Sequence, residues 1–353
     1  MTVAGRVPVR VGRFSGVWRP RFVTVTLVGV ALLVLASALN IGRGDYPISL
    51  LEVLRTLLGA GDEAQRFIVL DLRLPRTLTG LLVGAALGLS GAITQSIARN
   101  PLASPDMLGV TDGASAAAVL AIVIGGGSGA VAGALGAIGV PLAALIGGLA
   151  TAALMYGLAY RRGLDSYRLV LVGVGISAAA LSLTSWLLVV AKIEQAGEVL
   201  VWLRGSLNSR DWGDVVPVGI ALLLLVPPAL LLTFRLGVLQ LDDDAARGLG
   251  VPVDRSRGVL LLLAVGLAAV ATACAGPVRF VALMVPQISL RLVGSSRPPL
   301  VTSAVYGALL TVAADMLGRT VLGEEQPVGI VTVVLGAPYL LYLLVRQNRK
   351  ATA

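Results

Sequence analysis

Residues 73–115 read RLPRTLTGLLVGAALGLSGAITQSIARNPLASPDMLGVTDGAS, an apolar segment followed by a motif with two prolines. Between Arg76 and Arg99 it carries no charged residue. A run of about 20 predominantly apolar residues is long enough to cross the hydrocarbon core of a bilayer as a helix. Pro101 and Pro105, in the motif that follows, break a helix. The stretch therefore predicts a membrane span that ends in a turn.

Similar apolar runs recur along the whole chain of 353 residues. Hydrophobic residues make up 56% of it and charged residues only 13%, against about 25% charged in a soluble domain. We therefore predict an all-α fold, a polytopic membrane helical bundle of about ten transmembrane helices. The predicted spans are 22–41, 76–97, 107–124, 138–160, 168–190, 214–234, 258–276, 279–293, 299–317 and 327–345.

The basic residues set the predicted orientation. Ten crossings return both termini to one side, and placing that side in the cytoplasm puts 18 of the 28 Lys and Arg inside, as the positive-inside rule favours. We expect a multi-pass protein of the cytoplasmic (inner) membrane, with a basic cytoplasmic tail (1–21), a transmembrane domain (22–346) and a short cytoplasmic tail (347–353). A cleaved signal peptide is the alternative for the first span, but further spans follow it at once.

The first loop, residues 43–75, is predicted to lie outside the cytoplasm. It contains the segment PISLLEVLRTLLG, in which Leu51, Leu54, Leu57 and Leu58 fall on one helical face. A helix of this kind lies in the interface with its apolar face against lipid. We therefore predict a short amphipathic helix and name membrane lipid as its partner.

The longest cytoplasmic loop, residues 235–257, reads RLGVLQLDDDAARGLGVPVDRSR. Aspartate caps helix N-termini and glycine ends helices, so the loop predicts a short capped helix. The residues that can cap and end it are Asp242, Asp243, Asp244, Gly248 and Gly250. A folded loop of this length is either a docking surface or a solvated connector, and the residues alone leave both open.

A small-residue pattern recurs in the second and seventh predicted spans. VGAALGLSGAITQ (83–95) and VGLAAVATACAGP (265–277) would run in opposite directions through the membrane. Inverted repeats are common in transporters. The pattern hints at an internal duplication, although helices rich in Ala and Gly also resemble one another by chance.

Several functional classes are excluded by composition. The chain has no His and a single cysteine, Cys274, so we expect no metal site, no disulfide framework and no cofactor. Its two lysines, Lys192 and Lys350, do not follow a glycine, so it has no phosphate-binding loop of an ATPase. No basic stripe carries the interleaved aromatics that single-stranded nucleic acid requires. We therefore expect a transport subunit without enzymatic activity, whose motor is another chain.

One acid stands out inside the predicted spans. Asp315 lies one helical turn before Arg319, at a spacing that favours an intrahelical ion pair. The alternative is a relay for a coupling ion, because intramembrane carboxylates often serve that purpose in secondary transporters.

Five motifs in order resemble the FecCD-type permeases, the type II family of ATP-binding-cassette (ABC) importers for iron-siderophores, haem and cobalamin. The first is the stretch 73–115 and the others are VLVWLRGSLNSRDW (199–212), LQLDDDAARGLGV (239–251), GPVRFVALMVPQISLRLVG (276–294) and EEQPVGIVTVVLGAPYLLYLL (324–344). One departure is Gln287, where relatives commonly carry His.

The resemblance implies a set of partners. It implies a second permease subunit (identical or a paralogue), two cytoplasmic ATPase subunits and an extracytoplasmic substrate-binding protein. Arg73, Arg76 and Arg319 match positions that dock glutamates of the binding protein, a role for which exposed guanidiniums are suited. Snorkelling of these side chains at the membrane interface is the alternative.

The resemblance also implies a cytoplasmic gate and a coupling element. Asn100 and Leu102 would form one side of the gate, with Ser166 and Tyr167 opposite, although a purely structural turn explains the first pair equally well. The acidic loop would supply the coupling helix that enters a cleft on the ATPase. Its residues are Asp242, Asp243, Asp244, Ala245, Ala246, Arg247, Gly248 and Gly250.

The sequence as a whole predicts the permease subunit of an ABC importer. It would move a ferric siderophore or similar metal chelate by alternating access through a channel lined by the fifth and tenth spans. The alternatives are an ion-coupled secondary transporter that uses Asp315 and a membrane scaffold or receptor subunit without a permeation route.

Overall fold

The computed structural model of the protein describes residues 7–11, 14–44, 46–125, 134–160, 166–321 and 325–351. The described part is almost entirely helical, which confirms the predicted all-α bundle; the exception is an N-terminal hairpin within the predicted tail. Its antiparallel strands are β1 (Val7–Val11) and β2 (Phe14–Trp18).

The helices follow in chain order. They are α1 (Pro20–Gly42), α2 (Leu50–Leu57), α3 (Glu63–Arg66), α4 (Leu74–Ala98), α5 (Val110–Ile124), α6 (Ala134–Ala159), α7 (Ser166–Val190), α8 (Ile193–Leu203), α9 (Trp212–Leu231), α10 (Thr233–Val238), α11 (Asp243–Gly248), α12 (Val253–Ala275), α13 (Val281–Val293), α14 (Leu300–Thr320) and α15 (Val328–Ala351). A π-helical segment, Phe67–Arg73, joins α3 to α4, and a 3₁₀ turn, Asp106–Leu108, precedes α5.

Each of the ten predicted spans coincides with a helix, but two of the ten are short. Eight helices in the described residues are long and apolar enough to cross a membrane. The third and eighth spans are helices α5 and α13, of 15 and 13 residues, or only roughly 20 Å at 1.5 Å per residue. The predicted starts at 107 and 279 were therefore too early, because the chain there is not yet regular helix.

The two short helices are built alike. Helix α4 ends at Arg99 in the left-handed region (φ 49°), and a non-helical segment leads into α5. Helix α12 ends at Gly276 (φ 70°), and a second non-helical segment leads through Phe280 (φ 69°) into α13. The order of long helix, break and short helix thus occurs twice, in agreement with the internal duplication that the small-residue pattern suggested.

The core lies around α4 and α12, the most deeply buried of the spanning helices. Helix α4 packs against α14 through Gly84, Gly88 and Gly307. A Cβ atom on Gly84 would collide with the carbonyl of Gly307, and one on Gly88 with the carbonyl of Ser303. Small residues of this kind let helix backbones approach closely in lipid, where van der Waals packing takes the place of the hydrophobic effect.

Helices α1, α7 and α9 lie at the periphery and are mostly exposed. Helix α7 presents Leu171 and Val174, and α15 presents Val334 and Leu341, with exposed fractions of at least one half. Such apolar faces suit lipid or a second membrane subunit.

The first loop, which is predicted to lie outside the cytoplasm, contains the predicted helix as α2. Ser49 and Glu52 form a reciprocal capping box at its start. The predicted face is confirmed as exposed, and its members are Leu51, Leu54, Leu57 and Leu58. That this face lies against lipid stays a prediction.

Candidate functional site

A buried carboxylate, Asp315 on α14, is the centre of a cluster near the N-terminal end of α4, the end that is predicted to face outward. It is 2% exposed, and Arg76 of α4 donates to it from Nη2 at 2.9 Å and from Nε at 3.2 Å. Arg319 lies on its other side, with Nε 3.4 Å from Oδ2, and Asn40 of α1 donates to it at 3.2 Å. Side chains from three spanning helices, α1, α4 and α14, therefore meet at one carboxylate. We call Arg76, Asp315 and Arg319 the outer cluster.

Further polar contacts anchor the two arginines of the outer cluster. Arg319 donates to the backbone and side-chain oxygens of Asn40. Arg76 donates to Asn208, whose amide in turn donates to Glu325 at 2.8 Å. The guanidiniums are thus fixed by several acceptors, as partly buried charges must be.

These contacts change the interpretation of the predicted docking arginines. The side chains of Arg76 and Arg319 are only 14% and 8% exposed, so the expectation that they face outward freely was wrong: buried Asp315 draws them inward. Arg73 donates to the carbonyls of Ile41 and Tyr46 at 2.8 and 2.7 Å and so holds the first loop. The predicted pair of Asp315 with Arg319 is confirmed, but Arg76 lies closer.

A second cluster lies at the opposite end of α4. Arg99 donates to Asp243 at 2.7 Å, and Arg257 of α12 grips the same carboxylate with two hydrogen bonds of 2.7 and 2.8 Å. Partial burial raises the pKa of Asp243, but the hydrogen bonds from Arg257 and Arg99 outweigh it and hold the pKa below its ordinary value. We call Arg99, Asp243 and Arg257 the inner cluster.

The inner cluster positions the predicted coupling helix, which the structure contains as α11. Asp242 is its N-cap but makes no capping side-chain bond, so the predicted cap is wrong in that detail, and Asp243 instead binds the two arginines. Ala246 is buried against the bundle, whereas Asp244 and Arg247 form an exposed ion pair of 3.0 Å. Most of the remaining predicted residues face outward. These are Asp242, Ala245, Gly248 and Gly250.

The predicted gate is described on one side only. Asn100 and Leu102 form a tight turn after α4, in which the Asn100 side chain accepts a hydrogen bond from the Leu102 amide at 2.9 Å. Ser166 and Tyr167 open α7, but their side chains lie outside the described residues. The turn is therefore observed, and its function as a gate stays a prediction.

A further ion pair, which the sequence did not predict, joins the second non-helical break to the first turn of α5. Arg279 donates to Asp112 at 2.7 Å, and its side chain is 42% exposed. Asp112 is about 16 Å along α5 from Val123, which accepts a hydrogen bond from Gln195 in the outer loop. The pair therefore lies deep between the two faces. The signal was present in the sequence as an arginine two residues after Pro277.

Arg279 and Asp112 line a cavity of about 310 Å³. Its wall includes Ser177 of α7 and Leu340 of α15, which belong to the fifth and tenth predicted spans. Charged side chains at membrane depth mark water-filled paths for substrate. The cavity thus lies where the sequence predicted the channel lining.

The unusual Gln287 is buried on α13 and has a defined partner. It donates from Nε2 to Gln95 at 2.8 Å, and Gln95 donates to the carbonyl of Leu283 at 2.8 Å. The glutamine therefore joins α13 to α4 through hydrogen bonds that do not change with pH.

Known proteins match this chain over nearly its whole length. The sequence model of the FecCD transport family matches residues 22–346. The ferric enterobactin transport system permease protein FepG of Escherichia coli is 39% identical over 331 residues, which are 94% of this chain and 98% of that protein. The achromobactin transport system permease protein CbrC of Dickeya dadantii is 42% identical over 343 residues, 96% of each chain.

A solved structure shares the fold. It is a metal-chelate type ABC transporter in an inward-facing conformation, with a TM-score of 0.81 and 30% sequence identity. The match covers 92% of this chain and 99% of that one.

Proposed function

The chain belongs to the FecCD transport family, and from this membership we propose that it carries ferric siderophores or similar iron chelates across the cytoplasmic membrane. It is a membrane permease subunit of an ABC importer, a transport component whose ATPase is a separate chain. The family works with ATPase and substrate-binding components and a second permease.

One observation carries the proposed substrate class. Relatives named for ferric enterobactin, achromobactin and iron(3+)-hydroxamate each match more than 90% of this chain at 36% identity or more. The compounds in these names share the property of chelating iron, and they do not share one chemical skeleton. The cavity beside α7 and α15 supports the same class, because its polar pair offers both donors and acceptors to a hydrophilic cargo.

The proposed assembly has four further chains or copies. We propose that the exposed apolar faces of α7 and α15 meet a second permease, identical or paralogous, so that the cavity at Arg279 opens into a shared channel. Two ATPase subunits would bind α11 on the cytoplasmic side, where Leu241 and Leu249 are exposed next to the acidic residues. A substrate-binding protein would dock on the opposite face, over the outer cluster.

The proposed cycle is alternating access. Closure of the ATPase pair would move α11, and the inner cluster would transmit that movement to α4 and α12 through Arg99 and Arg257. The turn at Asn100 and Leu102 would open or close the cytoplasmic end. The rival function, ion-coupled transport through Asp315, is disfavoured because that carboxylate is already held by two guanidiniums and an amide.

Uptake of ⁵⁵Fe by membrane vesicles that contain the full complex tests the proposal. We expect uptake of ferric siderophores that requires ATP and persists when the proton gradient is collapsed while ATP is maintained. A complex whose ATPase subunits lack the catalytic glutamate is the matched control. Uptake driven by an imposed proton or sodium gradient without ATP would contradict the mechanism, and ATP-dependent uptake of other cargo alone would contradict the substrate class.

A further inference from the structure

A second cavity, of about 390 Å³, lies at the end of the bundle where the chain enters α1. The charge count assigns this end to the cytoplasm. The cavity is bounded by the start of α1, the junction of α9 with α10, and the loop between α13 and α14. Its lining includes the apolar side chains Phe22, Val23, Leu230 and Val301.

Two arginines, Arg19 and Arg297, line the same cavity. Arg297 donates from Nη1 to the carbonyl of Thr233 at 2.8 Å, which fixes its guanidinium at the wall instead of in bulk water. Burial lowers the pKa of Arg297, and the positive charge of Arg19 lowers it further. The two positive charges therefore repel each other, with Arg19 on the exposed side of the cavity.

No carboxylate in the described residues forms an ion pair with either arginine. Residues 1–18, which precede the cavity in the chain, contain no Asp or Glu at all. This pair therefore differs from the outer and inner clusters, where each pair of arginines encloses an aspartate. Two cations held together without an anion are costly unless a ligand supplies the negative charge.

We propose that this cavity binds the headgroup of an anionic phospholipid from the cytoplasmic leaflet, with Arg19 and Arg297 on the phosphate. Guanidinium groups bind phosphate through paired, charge-assisted hydrogen bonds. Basic pockets between spanning helices on the cytoplasmic side are suited to anionic headgroups. Leu230 and Val301, which are 39% and 42% exposed, provide the apolar flank along which acyl chains would lie. Free phosphate satisfies the two charges but leaves that flank uncovered.

Native mass spectrometry of the purified transporter complex in mixed detergent with phosphatidylglycerol or phosphatidylcholine tests the site. We expect a tightly bound phosphatidylglycerol for each permease and no matching phosphatidylcholine. The double variant Arg19→Gln/Arg297→Gln should weaken phosphatidylglycerol binding about 25-fold, since each arginine near a membrane surface contributes a factor of about five. The matched control is Arg235→Gln/Arg255→Gln, which removes the same charge from two exposed cytoplasmic arginines outside the cavity.

A steric variant keeps the test decisive if the double variant is poorly folded. Val23→Trp fills the cavity but retains both arginines, so it should also exclude the lipid. Three outcomes would overturn the proposal: equal loss of lipid in the control pair, lipid binding unaffected by Val23→Trp and by the double variant, or displacement of phosphatidylglycerol by millimolar inorganic phosphate. The last result would assign the site to free phosphate.

Discussion

The outer and inner clusters have the same composition, two arginines around one aspartate, yet they differ in burial. Asp315 of the outer cluster is 2% exposed and its arginines 14% and 8%. Asp243 of the inner cluster is 31% exposed and Arg99 is 32% exposed, whereas Arg257 is buried at 7%. The outer cluster joins spanning helices to one another, whereas the inner one attaches a short loop helix to α4 and α12. The buried outer cluster is therefore a structural joint between spanning helices. The inner cluster is a point of attachment for α11 that water still reaches.

The energetic consequence follows from desolvation. A charge left unpaired in a buried site carries the full cost of its lost hydration, so breaking one partner is more harmful than removing both. A partly exposed group recovers much of that hydration, and its pairing contributes less to stability. Four substitutions test this difference, in order of decreasing effect.

The largest effect is expected for Asp315→Asn. It leaves Arg76 and Arg319 without their buried counter-charge, since the remaining carboxylate, Glu325, is 4.0 Å from Arg76 and 56% exposed. This should cost about 3–5 kcal/mol of stability. Thermal unfolding of the purified complex and abundance in the membrane measure the loss. A second change, Arg319→Gln, should restore part of it by removing one unpaired charge. Normal abundance and an unchanged Tm for Asp315→Asn alone would show that the outer cluster is not a structural joint.

A smaller loss of stability but a larger loss of coupling is expected for Asp243→Asn. The variant should insert normally, because water reaches Arg99, which is 32% exposed. Arg257, which is 7% exposed, loses its carboxylate, and α11 loses its bonds to α4 and α12. Stimulation of ATP hydrolysis by the substrate-loaded binding protein is the measurement. Full stimulation of ATP hydrolysis together with full uptake would show that the loop is a plain connector.

The same cluster has a defined dependence on pH. Because the folded pKa of Asp243 lies below its ordinary value, its pairing is fully present above that ordinary value, near 3.8. The contribution is lost only as the pH falls below that point. Coupling by the wild-type complex should therefore not vary between pH 5 and 7 on account of this group.

An intermediate effect, on association with the binding protein, is expected for a double variant of the outer cluster. The double variant Arg76→Gln/Asp315→Asn removes a charge of each sign, so it separates docking from folding. If Arg76 contacts the binding protein, association should slow about tenfold at low salt and the difference should shrink at high salt. Surface plasmon resonance with the binding protein gives the rates. Unchanged rates at normal stability would argue against docking through Arg76.

The smallest effect is expected for Arg247→Gln. Its pair with Asp244 is 56% and 87% exposed, and exposed pairs contribute little. The Tm should change by an amount equivalent to less than about 0.5 kcal/mol. A large loss of stability would contradict the proposed importance of burial, whereas a loss of ATPase binding alone would identify Arg247 as a docking contact.

The long apolar runs made the bundle predictable, since each spanning helix must satisfy its own backbone in lipid. The amphipathic helix α2 and the coupling helix α11 were also predictable from local spacing. The partners of the charged groups were not. Arg76 and Asp315 are 239 positions apart in the chain, so only the packing of α4 on α14 brings them together.

The two half-length helices show another limit of local patterns. Hydropathy places the predicted starts of the third and eighth spans at 107 and 279, inside the two breaks, because it does not show where regular helix resumes. Arg279 then looked like the first residue of a span and Asp112 like an isolated acid within one, although the two side chains form an ion pair. The exposure of Arg76 was misjudged for a related reason, because it depends on a carboxylate from another helix.

The glycine contacts between α4 and α14 also constrain movement. Backbones that interlock at Gly84, Gly88 and Gly307 cannot slide along each other without first separating. These two helices should therefore move together as one rigid body when the inner cluster displaces α4. The movement that opens and closes the channel would then occur between this rigid body and α7 and α15, the cavity-lining helices that have exposed apolar faces. A cysteine cross-link between α4 and α14 should leave transport unchanged. A cross-link between α7 and its neighbour in the second permease should stop transport.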